Sequence, residues 1–89
     1  MEIIINMSRR EKSEIIKDIL ALCEIPRGKT DIVYKCNLNF NIVKKYLKGC
    51  FNSGWLVEEN LGFKKLYRTT ELGEQVLDTL AQSVSLIHF

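Results

Sequence analysis

Apolar residues recur every three or four positions in four segments of the chain, the spacing that places them on one face of an α-helix. The first segment predicts a helix that begins after Ser8 and ends before Pro26. Ser8 and Glu11 lie three residues apart and form the pattern of a capping box. The face that we expect to be buried carries Ile15, Ile16, Ile19, Leu20, Leu22 and Cys23.

Two further segments predict a pair of helices separated by a tight break. Residues 26–29 read as a turn, after which Thr30 is placed to N-cap a short helix over residues 31–36. Asn39 is placed to N-cap the next helix, over residues 39–52. The expected buried stripe of this longer helix comprises Val43, Tyr46, Leu47, Cys50 and Phe51.

A β-hairpin and a last helix complete the pattern. Gly54 suits the position after a helix where φ is positive, and residues 55–59 and 64–69 read as strands joined by a turn at 60–63. Thr70 is placed to N-cap a helix over residues 70–89. The late apolar positions of this helix have the three–four–three spacing of a heptad and are Leu77, Leu80, Val84 and Ile87.

This order of elements predicts a mainly α fold with a small β-hairpin, a winged helix-turn-helix (α1-α2-α3-β-β-α4). We expect the domain to occupy residues 8–82, after an N-terminal extension at 1–7. The helix over residues 39–52 would enter the major groove of DNA, and the wing at 60–65 would reach the backbone. The helix over 70–89 would serve dimerisation.

Composition agrees with one small domain. The chain has 89 residues, of which 46% are hydrophobic and 27% charged. This apolar content excludes intrinsic disorder, and no apolar stretch approaches the ~20 residues of a membrane span. So short a chain buries a marginal core, which favours oligomerisation.

The net charge of +2 conceals a strong separation along the sequence. Residues 27–68 contain nine basic and three acidic residues, a net charge of +6, and the remainder carries −4. Basic charge is therefore concentrated on the helix pair and the hairpin, as an electrostatic footprint for nucleic acid requires.

Candidate DNA contacts follow from this placement. Lysines would contact phosphates and position the helix, whereas Asn41 could read adenine through two hydrogen bonds. Asn39 could instead serve only as a cap, and Arg68 could pair with Glu58 or Glu59 across the hairpin. The candidate contacts are Lys29, Thr30, Asn39, Asn41, Lys44, Lys45, Lys48, Lys64, Lys65 and Arg68.

Other side chains favour structural roles. The aromatic residues that flank apolar positions are expected to pack in the core rather than stack on bases, namely Phe40, Tyr46, Phe51, Trp55 and Tyr67. Cys23, Cys36 and Cys50 lack the spacing of a zinc site or a disulfide framework, so we expect buried, reduced thiols in a cytoplasmic protein. No catalytic constellation, cofactor loop, metal site or small-molecule ligand is predicted, and the protein is not expected to be an enzyme.

Several segments resemble one known family. Residues 27–40, 43–47, 54–57 and 67–73 are similar to archaeal ArnR-like winged helix-turn-helix proteins, and the similarity covers roughly residues 9–82. The resemblance implies double-stranded DNA as partner, often bound by a homodimer joined through the C-terminal helix. Such a protein would be a transcription regulator or a nucleoid-associated chromatin protein.

One alternative of another class is a winged helix that docks a protein partner. It would need an apolar patch on the exposed side of helix 39–52, where the sequence places lysines.

Overall fold

The computed structural model describes the backbone of residues 11–87 and the side chains of residues 11–81. The elements within this range are α1 (Lys12–Leu22), β1 (Arg27–Gly28), α2 (Lys29–Cys36), α3 (Phe40–Asn52), β2 (Leu56–Leu61), β3 (Lys64–Thr69) and α4 (Glu71–Ile87). Their order confirms the predicted mainly α winged-helix class. The predicted capping box was wrong, because α1 begins at Lys12 with Glu11 as its N-cap, so Glu11 is not at the third helical position that the box requires. Ser8 lies outside the described residues.

The described sheet has three antiparallel strands in the order β1-β3-β2, so the predicted two-stranded hairpin was incomplete. Arg27 pairs with Tyr67 and Gly28 with Leu66, in a segment that the sequence predicts to be a turn. Without β1, the backbone N–H and C=O groups along this edge of β3 would be unpaired. β1 provides hydrogen-bond partners for part of that edge. A strand of two residues leaves no periodic trace in a sequence.

Two of the helices begin where a side chain next to the first turn caps the backbone. The Asn39 carboxamide accepts a hydrogen bond from the Ile42 N–H at 2.8 Å, which confirms the predicted cap of α3. The Thr70 hydroxyl accepts one from the Gly73 N–H at 3.0 Å, as predicted for α4. The predicted Thr30 cap was wrong, because α2 begins at Lys29 with Gly28, held in an extended conformation by β1, as its N-cap.

The core lies between the three N-terminal helices and one face of the sheet. α3 contributes Val43, Leu47 and Cys50, which are at most 2% exposed. Phe40 and Phe51 were predicted to be buried but are 50% and 44% exposed, because the buried stripe of α3 is narrower than the predicted one. The other buried apolar residues are Ile15, Ile19, Leu20, Cys23, Ile32, Cys36, Leu56 and Tyr67, with Trp55 and Tyr46 packed partly buried against them.

Hydrogen bonds tie the end of β3 to α1. The Thr69 hydroxyl donates to the Leu20 carbonyl at 2.7 Å, and the Thr69 N–H donates to the Cys23 carbonyl at 2.8 Å. α4 then runs back along α1, and Val76 and Leu77 pack against the core. The first half of α4 is therefore part of the domain itself.

Cys23, Cys36 and Cys50 are buried and form no disulfide, as predicted. Burial raises the pKa of Cys23 to about 12 and that of Cys50 to about 11. Thiolate is the reactive form, so these side chains behave as small apolar groups.

Candidate nucleic-acid interface

The side of α3 that faces away from the core carries a cluster of cations. Lys44, Lys45 and Lys48 are exposed on this side, and Asn41 is exposed in the first turn. Among the described side chains, no carboxylate oxygen lies within 4.0 Å of any of these three ammonium groups. These three lysines therefore carry positive charge that no ion pair within the described side chains offsets.

Two of these lysines meet a third from another element. Lys29, Lys44 and Lys48 line one open groove of about 190 Å³ between the start of α2, α3 and the sheet. The remaining lining residues are Leu47, Phe51, Glu58 and Tyr67, and the whole is called the lysine groove below. Lys29 and the α3 lysines are at least 15 positions apart in sequence, so their convergence is a property of the fold.

An aromatic ring positions Lys29. Its ammonium group lies over the ring of Phe40, 5.3 Å from the centroid, a cation–π contact between the first residues of α2 and α3. The ring fixes the direction of the ammonium without neutralising its charge. The spacing of Phe40 from Val43 fits the buried stripe, so the sequence carries no signal that sets this residue apart.

The wing continues the lysine groove on one face only. Side chains alternate along a strand, so Glu58, Lys65 and Tyr67 share the face that α3 covers, and Arg68 lies on the opposite face. Lys65 approaches Glu58 at 3.8 Å, a loose contact between half-exposed groups. Arg68 is paired with Glu59 at 2.6 Å, the cross-hairpin alternative that the sequence left open.

The remaining candidate DNA contacts, Asn39, Thr30 and Lys64, do not line the lysine groove. The Asn39 carboxamide oxygen is occupied as the α3 cap, although the side chain is exposed. Thr30 is exposed in the first turn of α2. Lys64 is exposed at the wing and faces away from the lysine groove, since its strand partner Leu61 is on the outer face.

Sequence reasoning missed two features near this surface. Arg27, counted only as part of a basic segment, bridges Asp31 at 3.0 Å and donates to the Leu22 carbonyl at 3.3 Å, so it holds α2 against α1. Phe63, at the wing turn, is 99% exposed.

The described part of the chain shows neither a metal-binding cluster nor a membrane-spanning helix. Residues 11–87 contain no group of three or more His, Cys, Asp or Glu side chains that could hold a metal ion. No helix in that range is both long and apolar enough to cross a bilayer.

The family follows from a sequence profile of winged helix-turn-helix proteins, which matches residues 9–87. The chain belongs to the winged helix-turn-helix family. A search of curated protein sequences gives no significant match.

Among solved structures, this winged helix is similar to Sso10a-2, a DNA-binding protein from Sulfolobus solfataricus. The TM-score is 0.82 at 28% identity, over 89% of this chain and 83% of that protein. The likeness therefore extends over nearly all of both chains.

Two other structures share the fold over part of their length. ZitR from Lactococcus lactis gives a TM-score of 0.65 at 17% identity, over 80% of this chain and 49% of ZitR. Human N-acetylserotonin methyltransferase gives 0.59 at 25% identity, over 70% of this chain and 18% of the enzyme. The chain thus spans half of one and under a fifth of the other.

Proposed function

We propose that this chain binds double-stranded DNA as a homodimeric transcription regulator, with α3 in the major groove and the wing on the adjacent backbone. The observation that carries the proposal is the convergence of Lys29, Lys44 and Lys48 on one groove beside an exposed helix face. A major groove about 12 Å wide admits a helix of this kind. The 28% identity to Sso10a-2, a DNA-binding protein, supports the same function.

The individual roles follow from chemistry and placement. Lys29, Lys44, Lys45 and Lys48 supply point charges for phosphates, which position the protein without reading sequence. Asn41 is exposed in the first turn of α3 and is the candidate for reading adenine. The wing lysines, Lys64 and Lys65, complete the backbone contacts; Thr30, Asn39 and Arg68 are peripheral candidates.

Dimerisation and cellular role belong to the same proposal. The heptad spacing of Leu77, Leu80, Val84 and Ile87 supports a helix pair formed by α4 of two copies. An ArnR-like regulator of this size would act in the cytoplasm on the nucleoid. An exposed lysine face on α3 suits DNA better than an apolar protein partner.

The decisive experiment reverses charge within the lysine groove. Lys44→Glu with Lys48→Glu places two carboxylates among the remaining lysines, and we expect duplex affinity to fall by at least ~100-fold, since each phosphate contact carries a large electrostatic share of binding. Fluorescence anisotropy over a range of salt concentrations measures this. Wild type should lose affinity with a log–log slope of about −0.9 per phosphate contacted, and the variant should have a shallower slope.

The matched control is Lys17→Glu with Lys35→Glu, which makes the same change in net charge on α1 and α2, at residues that line neither the lysine groove nor the cavity beside Lys45. We expect it to weaken binding far less. Equal losses in the two variants would place the DNA on another surface. A duplex from upstream of the protein's own coding sequence, compared with a random duplex, then separates a regulator, which prefers one sequence, from a chromatin protein, which does not.

A further inference from the structure

The wing ends in an apolar tip. Gly62 and Phe63 form a two-residue turn between β2 and β3, and Gly62 adopts a φ of +63°. Phe63 is 99% exposed and its neighbour Leu61 is 62% exposed. A fully solvated phenylalanine is unusual for a residue type that is most often buried.

Folding of the hairpin does not account for this side chain. The turn requires positive φ at its first central position, which Gly62 supplies, and Phe63 has an ordinary negative φ. At 99% exposure the ring stabilises neither the sheet nor the core. A polar residue would serve the turn equally well and would avoid exposing an aromatic surface to water.

The surroundings of the tip indicate a polyanionic partner. Lys64 and Lys65 follow Phe63 directly, and alternation along β3 places their side chains on opposite faces of the hairpin. The Lys65 face also carries Glu58 and Tyr67, two residues of the lysine groove. The apolar tip is thus flanked by a cation on each face and is continuous with the proposed DNA surface.

We propose that Phe63 enters the minor groove beside the α3 site and inserts its ring between two adjacent base pairs. This proposal rests on the proposed function, since it requires the wing to lie on DNA. The minor groove is about 6 Å wide and bordered by phosphates on both sides, which suits one ring between two lysines. Apolar side chains inserted in this way unstack a base step. The favoured target is a pyrimidine–purine step such as TA, which unstacks most easily.

The test uses duplexes in which 2-aminopurine replaces one adenine at a TA step, because its emission rises when it is unstacked. Whichever of the upstream and random duplexes binds more tightly serves as the parent sequence. Saturating wild-type protein should raise the emission at one step. Phe63→Ala should abolish the rise while binding within about tenfold of wild type, and Phe63→Leu should retain much of the rise because leucine also serves as a wedge.

The matched control is Tyr34→Ala, which removes a 79% exposed aromatic side chain from α2 and should leave the emission unchanged from wild type. Insertion would be refuted if bound wild type raised the 2-aminopurine emission at no step, or if Phe63→Ala gave the same rise as wild type. Either result would leave the proposed DNA binding intact. Absence of duplex binding by wild type would refute both proposals, so the two failures are distinguishable.

Discussion

At the scale of single residues, Gly73 is the position where the fold depends most directly on an absent side chain. A Cβ atom there would lie 2.3 Å from the Trp55 carbonyl oxygen and 2.7 Å from the Thr69 methyl group. Neither neighbour is free to move, since the Trp55 carbonyl accepts from the Thr70 N–H at 3.0 Å and Thr69 is bonded to α1. The start of α4 is therefore seated against the chain at Trp55 by close backbone contact.

We expect Gly73→Ala to lower the free energy of unfolding by about 1–3 kcal/mol, the usual cost of overpacking. Gly49→Ala is the control, because this glycine lies in α3 and a Cβ atom added to it would meet nothing within 4 Å. Alanine favours a helix over glycine, so this change should stabilise by about 0.5–1 kcal/mol. Urea denaturation measures the free energy of unfolding of both variants. Equal changes in the two variants would contradict the close contact at Gly73.

Residue-level expectations succeeded where the cause was local. Asn39 and Thr70 cap their helices because each side chain bonds a backbone N–H three residues ahead. Phe40 and Phe51 were misassigned because a periodic pattern gives the direction of a side chain without showing whether any element covers it. That cover comes from distant parts of the chain.

At the scale of elements, the packing of α4 on α1 brings two carboxyl groups together. Glu24 follows the end of α1, and Glu74 lies in the first turn of α4. A shared hydrogen bond with Glu24, and repulsion between the two carboxylates, raise the pKa of Glu74 above its ordinary value of 4.5. The contact is favourable while one proton is present and repulsive once both groups are ionised.

This pair predicts a pH dependence of stability. A raised folded-state pKa means that the stabilising contribution is complete below pH 4.5 and is lost as the pH rises through the folded pKa of Glu74. Glu74→Gln keeps a hydrogen-bond donor at every pH, so it should stabilise the protein at neutral pH and remove this dependence. Glu71→Gln makes the same charge change in the same helical turn and should leave the dependence in place. Thermal denaturation between pH 4 and 8 compares them, and parallel curves for Glu74→Gln and wild type would contradict the pairing.

Helices and the hairpin could be predicted from the sequence because each has its own periodicity or turn residues. β1 could not, since its two residues become a strand only through pairing with β3, and Gly28 and its partner Leu66 are 38 positions apart in sequence. The same pairing moved the start of α2 to Lys29. Non-local hydrogen bonds account for both errors.

At the scale of the whole molecule, the fold brings basic residues that are separated in the sequence onto one surface. The +6 segment could be recognised by counting residues, but the fold decides which lysines act together. Lys29, Lys44 and Lys48 share the lysine groove, whereas Arg27 and Arg68 are engaged in ion pairs with Asp31 and Glu59. The net charge of a basic segment is therefore larger than the charge that is available to a ligand.

The proposed homodimer can be tested by measuring the mass of the protein in solution. α4 continues to Ile87, and we expect the full chain to sediment as a dimer of 10.3 kDa subunits. Val84→Glu with Ile87→Glu, or truncation after Ala81, should give monomers, because both remove Val84 and Ile87 from the heptad positions while Val76 and Leu77 keep α4 on the core. Ser85→Glu adds charge outside the heptad positions and should remain dimeric. Monomeric wild type, or a dimeric truncated chain, would exclude this interface.

The two-residue strand β1 also determines how the molecule can open. Because Gly28 pairs with Leu66, the segment containing α2, α3, β2 and the wing turn is closed into one loop by backbone hydrogen bonds. Fraying at the start of α1 or the end of α4 lies outside that loop and leaves its closure intact. Hydrogen exchange within the loop should therefore follow cooperative rather than stepwise opening. We therefore expect the surface that carries the lysines to remain intact when the ends of α1 and α4 fray.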